Sequence, residues 1–225
     1  MKKWILACSF LFATTAQCCV HSGHKEMMVD SNQIQVPKII STSDSQYLEP
    51  STVLASRLVV KAMDIKGFDA ESLKKLKSAF VVLEKVVNSA EFKNRVINFK
   101  NNQNQRSFAS NNGYSNEQIF ATFMDGRETL QPNTPGEMNY FVQLYYKRYS
   151  KVIGWTNGDI NTINVNWKFF RNFKPSEVAG NLAHEWTHKL GFGHTSAAEH
   201  DSAPYAIGYI VREMGERYLK GEELH

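Results

Sequence analysis

Cysteine is nearly absent from this chain of 225 residues, and the few cysteines are confined to one end. The three that occur are Cys8, Cys18 and Cys19, and none follows from Val20 onward. A stretch without cysteine has no internal disulfide framework. The stability of a domain in it must therefore come from a hydrophobic core, and from a metal where one is bound.

A strong excess of one charge is missing as well. Without Lys2 and Lys3 at the N-terminus, 24 basic residues balance 22 acidic ones, for a net charge of +2. So small an excess, with no basic run or basic patch interleaved with aromatics standing out, argues against a nucleic-acid partner. The hydrophobic content of 42% and the charged content of 21% are those of an ordinary globular protein.

Hydrophobic runs long enough to anchor the chain in a membrane are also missing. The apolar run at positions 4–13 is too short to span a bilayer as a stable anchor, and no transmembrane helix is expected in the mature chain. Two lysines precede this run, and small residues follow it up to Ala16, which is the organisation of a secretory signal peptide. We therefore predict that residues 1–16 are a signal peptide and that the protein is exported, to a periplasm or out of the cell.

A lipoprotein signal is the alternative for this N-terminus. Cys18 or Cys19 would then carry a lipid anchor, although the residues before them fit a lipobox poorly. Residues 17–50 are polar and lack apolar periodicity, which is typical of a linker or a loosely ordered arm. Residues 51–225 are predicted to form one domain, and a monomer is expected.

Helical periodicity recurs along this domain. Asp69 is placed to cap a helix whose apolar residues repeat at helical spacing, and Ser115 with Gln118 forms a capping-box signature. Pro175 suits the first turn of another helix. Four helices are expected, over 69–88, from Ser115, over 175–190 and over 205–220, whereas 92–99 could be helix or strand.

Strand signals are concentrated in the middle of the domain. Residues 140–149 and 152–156 are rich in aromatic and β-branched side chains, and 160–166 alternates apolar with polar residues. That alternation is typical of a half-buried strand at the edge of a sheet, with Asn164 and Asn166 on its polar side. The mixture of strands and helices predicts an α+β fold.

One eleven-residue string, H-E-W-T-H-K-L-G-F-G-H, carries the chemistry and begins at His184. His184 and His188 are four residues apart, so on a helix both imidazoles project from one face. Glu185 can reach a water on the metal without binding the metal itself. Gly191 can end the helix in a left-handed conformation, which lets His194 turn back to the same ion. Three neutral imidazoles with one open position are typical of a catalytic zinc site.

The string matches the extended zinc signature H-E-x-x-H-x-x-G-x-x-H, so the chain resembles the metzincin clan of metallopeptidases over these eleven residues. The resemblance implies a two-lobed domain with a twisted mixed sheet, an active-site helix at the floor of a cleft, and a short C-terminal lobe that ends in a helix. It also implies an edge strand on the upper rim that pairs with an extended peptide substrate. The candidate strand is 160–166, with Asn164 and Asn166 as the residues that would face the substrate.

The chain departs from the clan at the turn that places a methionine beneath the zinc. No methionine follows the third histidine before Met214, which falls on the apolar stripe of the last predicted helix. Residues 202–209 are the candidate equivalent of that turn, with Ile207 in the place of the methionine. Either Tyr205 or Tyr209 would then assist the metal.

The expected activity is that of a zinc-dependent endopeptidase acting on a peptide or protein substrate. One catalytic Zn²⁺ would be held by His184, His188 and His194, and Glu185 would be the general base for the zinc-activated water. Two alternatives are a catalytically silent zinc-binding surface domain and a zinc amidase acting on a cell-wall peptide. A thermolysin-like ligand set, with Glu213 or Glu216 as the third ligand, would leave His194 unexplained.

Overall fold

The computed structural model describes residues 57–128, 134–156, 160–196 and 199–225. The predicted signal peptide and polar arm lie outside these residues. The elements in chain order are β1 (Val59–Lys66), α1 (Ala70–Val87), α2 (Ala90–Ile97), α3 (Asn116–Asp125), β2 (Glu137–Tyr145), β3 (Gly154–Trp155), β4 (Thr162–Asn166), α4 (Trp167–Phe170), α5 (Pro175–Lys189) and α6 (Ala203–Leu219).

Local capping chemistry sets the starts of the first three helices. The Asp69 carboxylate accepts a hydrogen bond from the backbone N–H of Ser72 at 2.8 Å, which begins α1. Ser89 accepts from the N–H of Phe92 in the same way, so the ambiguous segment 92–99 is the helix α2 and its end. Both bonds of the predicted capping box at Ser115 are present at the start of α3.

The four described strands form one small open sheet in the order β1-β2-β4-β3. β1, β2 and β4 run parallel, and β3 pairs antiparallel with β4. A mixed sheet combined with helices confirms the coarse prediction of a mixed helical and stranded domain. This agreement concerns the fold class and does not extend to the metzincin-like arrangement that the resemblance implies.

The prediction that 160–166 forms an edge strand is wrong. The strand is present as β4, but it hydrogen-bonds to β2 on one side and to β3 on the other, so β3 forms this edge of the sheet. The N–H of Asn166 also donates to the carbonyl of Ile153 at 2.8 Å, just before β3. The β-prone run 152–156 predicted this short strand, but a strand of two residues carries no pattern that shows on which side of β4 it pairs.

Residues 202–209, expected as the equivalent of the methionine turn, are largely helical. Ser202 has the extended backbone of an N-cap, and its carbonyl accepts the first intrahelical bond from Ala206 at 2.9 Å. Pro204 lies in the first turn, where its missing N–H costs nothing. The chain therefore enters α6 directly, and Ile207 is a buried core residue within that helix.

Helices α5 and α6 cross at close range. A Cβ atom on Gly180 would lie 2.7 Å from the carbonyl oxygen of Gly208, and one on Gly208 would lie 2.9 Å from that of Gly180. Contacts this short exclude any side chain, so the two glycines allow the backbones to meet. The N-terminal turns of α6 are thereby held against the face of α5 that carries His184.

The core beneath α5 consists of large aromatic and aliphatic side chains. Trp186 and Tyr140 are fully buried with ring centroids 5.2 Å apart, so α5 is seated on β2. The C-terminal end of α5 is tied by a buried ion pair, in which Lys189 Nζ lies 2.6 Å from a carboxylate oxygen of Glu128. Among the described helices, none combines the length and hydrophobicity that a membrane crossing requires.

Candidate metal centre

Three imidazoles converge at the C-terminal end of α5. One potential ligand atom from each of His184, His188 and His194 can be chosen so that all three lie within 4.8 Å of one another. The Nε2 atoms of His184 and His188 are 3.1 Å apart. The ring centroid of His194 lies 5.5 Å from the ring centroid of His184 and 4.9 Å from that of His188. The three histidines thus lie together, as the four-residue spacing of the first two and the position of the third predict.

The turn that returns His194 to the helix depends on Gly191. Its φ of +92° lies in the left-handed region that favours glycine, and its N–H donates to the carbonyl of His188 at 2.9 Å. The N–H of Phe192 then donates to the carbonyl of Thr187 at 3.2 Å. These two bonds end α5 and reverse the chain, which confirms the predicted helix stop.

Backbone carbonyls orient two of the three rings. Nδ1 of His188 lies 2.9 Å from the carbonyl oxygen of Phe192, which leaves Nε2 facing the cluster. The His184 imidazole bonds to the backbone of Pro204, which can only accept. Such carbonyl partners fix the tautomer and direction of metal-binding histidines. In the described part of the chain, neither buried ring nitrogen of His194 bonds to another residue.

Burial keeps these imidazoles neutral. It lowers the pKa of His184 well below its usual range, lowers the pKa of His188 to about 4, and lowers the pKa of His194. At neutral pH each ring therefore offers a lone pair rather than a positive charge. Three converging neutral nitrogens suit a transition-metal ion such as zinc, copper, nickel or iron. The site fits a divalent metal.

Glu185 is fully buried between α5 and the edge of the sheet. Asn181, one turn earlier on α5, places its Nδ2 3.4 Å from Oε1 of this carboxylate. A Cβ atom on Gly154 of β3 would come within 3.0 Å of the same oxygen. Because residue 154 is a glycine, it leaves the space that the carboxylate occupies. The sequence motif alone identified neither Asn181 nor Gly154.

Of the two candidate tyrosines, Tyr205 is the one beside the histidines. Its ring centroid lies 4.6 Å from that of His184 and 4.7 Å from that of His194, and the side chain is 8% exposed. Tyr209 stacks on the outer side of Tyr205 at 6.0 Å and is 44% exposed. Its hydroxyl lies 3.0 Å from Nδ1 of His200.

The two asparagines proposed for substrate contact lie inside the protein. Asn166 is fully buried, accepts hydrogen bonds from the N–H groups of Lys147 and Lys168, and donates to the carbonyls of Lys147 and Val152. Asn164 is 8% exposed, and its amide lies 3.4 Å from the carbonyl of Thr162. Asn166 thus organises the surrounding backbone rather than an outer rim.

Neither acidic alternative for the third ligand belongs to the cluster. Glu213 pairs with Arg95 at 2.8 Å, and Glu216 pairs with Lys174 at 3.2 Å. Both carboxylates are at least partly exposed to solvent. Met214 is fully buried in the core, as its place on the apolar stripe of α6 predicts.

A loop from another part of the chain holds the turn that carries His194, and sequence reasoning missed it. Ser110 donates to one Glu199 oxygen at 2.6 Å, while the N–H of Thr195 donates to the other at 2.6 Å. Asn112 donates to the carbonyl of Gly191 at 3.0 Å. Ser110 and Asn112 have φ angles of +50° and +53°, an unfavourable conformation that the surrounding contacts must stabilise. We call these contacts the Glu199 clamp.

Comparison with known proteins does not add to these observations. No protein-family profile matches the chain, and no curated protein or solved structure resembles it significantly.

Proposed function

We propose that the protein is an exported zinc-dependent endopeptidase, and that it is a divergent member of the metzincin clan. The observation that carries the proposal is the convergence of three neutral imidazoles, with a buried carboxylate next in sequence to the first of them. A structural metal site would need no such carboxylate. A catalytic site needs one as its general base.

Zinc held by His184, His188 and His194 would supply a Lewis acid and lower the pKa of a water molecule toward neutrality. Glu185 accepts the proton of the attacking water and later gives it to the leaving amine. Asn181 positions that carboxylate through the 3.4 Å contact. The hydroxyl of Tyr205 is the candidate to donate a hydrogen bond to the developing oxyanion, because Tyr205 packs on two of the imidazoles.

An extended substrate would pair with β3. This strand is at the edge of the sheet, and Gly154 within it adjoins Glu185. Main-chain pairing along such an edge is a general way to bind peptides with little sequence selectivity of its own. It would bring the scissile bond to the carboxylate that handles its protons.

The proposal is tested by measuring zinc content and peptide hydrolysis in the wild type and in Glu185→Gln. Both proteins should hold one zinc ion, and the variant should lose roughly 10²- to 10⁴-fold in kcat, the usual contribution of a general base. Glu223→Gln, at an exposed position near the C-terminus, is the matched control and should keep full activity.

Each other result has a definite meaning. Zinc in neither protein, or full turnover by Glu185→Gln, would overturn the proposed site. One zinc ion without hydrolysis of any peptide or protein would favour the silent binding domain. Release of products from cell-wall peptides alone would favour the amidase.

A further inference from the structure

An exposed loop between β2 and β3 carries a patch of cations and aromatics. Residues 146–151 read Y-K-R-Y-S-K, and we call them the rim loop. Tyr146 is 53% exposed and Tyr149 is 87% exposed, while Lys147, Arg148 and Lys151 are also exposed. The nearly balanced net charge of the whole chain does not reveal this local patch.

The rim loop presents these side chains from a fixed backbone. Buried Asn166 bonds to both of its ends, donating to the carbonyls of Lys147 and Val152 and accepting from the N–H of Lys147. Lys168 donates from Nζ to the carbonyl of Ser150 at 2.8 Å. The exposure of two tyrosines is therefore a property of an ordered turn, which is typical of a contact surface.

The positive charge of this segment of the chain has little compensation within the segment. From 138 to 176 the only acidic residue is Asp159, which lies outside the described residues, against six cations. These are Lys147, Arg148, Lys151, Lys168, Arg171 and Lys174. Of these six, only Lys174 has an ion-pair partner among the described residues, which is Glu216.

The patch adjoins the candidate catalytic site. Lys151 is three residues before Gly154, so their Cα atoms are at most about 11 Å apart. The Cβ position of Gly154 lies 3.0 Å from the Glu185 carboxylate. Trp155, 37% exposed, follows Gly154 directly, on the side away from the rim loop. A chain lying along β3 would therefore pass the carboxylate and then the rim loop.

We propose that the rim loop selects acidic polypeptides as substrates, with Asp or Glu residues lying on one side of the scissile bond. Lys147, Arg148 and Lys151 would pair with the carboxylates, and Tyr149 would contact the chain between them. This inference rests on the proposed function for the direction of the substrate along β3. Exposed ion pairs contribute about 1.5- to 5-fold each, so three cations together give roughly 3- to 100-fold selectivity.

The test is cleavage of a proteome-derived peptide library, with cleavage sites identified by mass spectrometry. Wild-type protein should cut sites enriched in Asp and Glu at several positions on one side. Lys147→Gln/Arg148→Gln/Lys151→Gln should lower the acidic-to-neutral ratio of kcat/KM by roughly 3- to 100-fold. The control Lys74→Gln/Lys77→Gln/Lys85→Gln removes the same charge from α1 and should leave that ratio unchanged. Cleavage sites without acidic enrichment, or enrichment that survives in the rim-loop variant, would overturn the inference.

A binding measurement separates this inference from the proposed function. Immobilised Glu185→Gln protein should retain acidic peptides from the same library, and the added rim-loop changes should release them. Retention without any hydrolysis by the wild type would support recognition of acidic polypeptides by the rim loop and reject the peptidase. Hydrolysis without a preference for acidic peptides would support the peptidase and reject the inference. Rim-loop-dependent sedimentation with phosphatidylserine vesicles, without peptide selectivity, would reject acidic polypeptides in favour of a membrane surface.

Discussion

At the scale of single residues, Gly154 determines where the Glu185 carboxylate can lie. A Cβ atom there would meet Asn181 Oδ1 at 2.8 Å and Glu185 Oε1 at 3.0 Å, both of them side-chain ends that can move. Gly154→Ala should therefore displace the carboxylate and lower kcat/KM by roughly 10²-fold, while zinc content stays at one ion. Gly193→Ala is the control, because a Cβ there meets no atom within 4 Å. Unchanged activity in Gly154→Ala would mean that Glu185 needs no support from β3.

The Glu199 clamp leads to a prediction about metal affinity. Glu199→Gln replaces one accepting oxygen with an NH₂ group, so either Ser110 or Thr195 loses its acceptor. Because groups that orient a metal ligand typically contribute 10- to 100-fold in affinity, the zinc Kd should rise by about that factor. Competition with a chromophoric chelator measures the Kd, and the spectrum of the cobalt-substituted protein should also change.

Ser110→Gly provides a second variant for the same clamp. Glycine accepts the φ of +50° without strain, so the zinc-free fold should lose little stability. The hydroxyl that Glu199 accepts from is nevertheless removed, and zinc affinity should still fall. If both variants bind zinc as the wild type does, the clamp has no role at the metal centre.

At the scale of elements, the crossing of α5 and α6 places Tyr205 against the imidazoles. A Cβ on Gly208 would lie 2.9 Å from the carbonyl of Gly180 and 3.1 Å from Cβ of His184. Glycine to alanine within a helix ordinarily stabilises by up to about 1 kcal/mol. Gly208→Ala should instead lower the free energy of unfolding by about 1–3 kcal/mol, because α6 must move away from α5. Chemical denaturation with and without zinc measures this.

A double variant tests whether this contact is the cause. Gly180→Ala and Gly208→Ala force the same two backbones apart, so their combined effect should be smaller than the sum of the single effects. Additive losses would indicate two unrelated local effects. In that case the spectrum of the cobalt-substituted double variant should also match that of the cobalt-substituted wild type.

Local signals made the helices and the clustering of the three histidines predictable, whereas contacts between distant segments were not predictable. Asp69, Ser115 and Gly191 act on their immediate neighbours, so their patterns are visible in the sequence. Ser110 and Glu199 are 89 positions apart, and nothing in either segment indicates the other. The position of β4 inside the sheet also depended on which strand the predicted run 152–156 pairs with, and so short a strand does not show its partner in its sequence.

At the scale of the whole molecule, the described domain has no disulfide, and three imidazoles, one buried and two partly buried, lie where a metal would link α5 to the turn after it. In the zinc-free protein these rings stay neutral, and burial lowers the pKa of His188 from its ordinary 6.5 to about 4. Between these two values the unfolded chain binds more protons than the folded one. The contribution of the neutral His188 ring to the free energy of unfolding is therefore fully present above about pH 6.5, and it is lost as the pH is lowered toward 4.

The direction of this pH dependence predicts how acid and metal together change the stability of the fold. For His188 alone the loss amounts to something of the order of 3 kcal/mol, and His188→Asn should remove that part of the pH dependence. Zinc at 1,000 times its Kd should add about 4 kcal/mol near neutral pH, and this gain should disappear in acid because protons compete for the same nitrogens. Urea unfolding at several pH values, with EDTA or with zinc, measures both effects. A zinc-dependent gain that persists at pH 4 would show that ligands other than these histidines hold the ion.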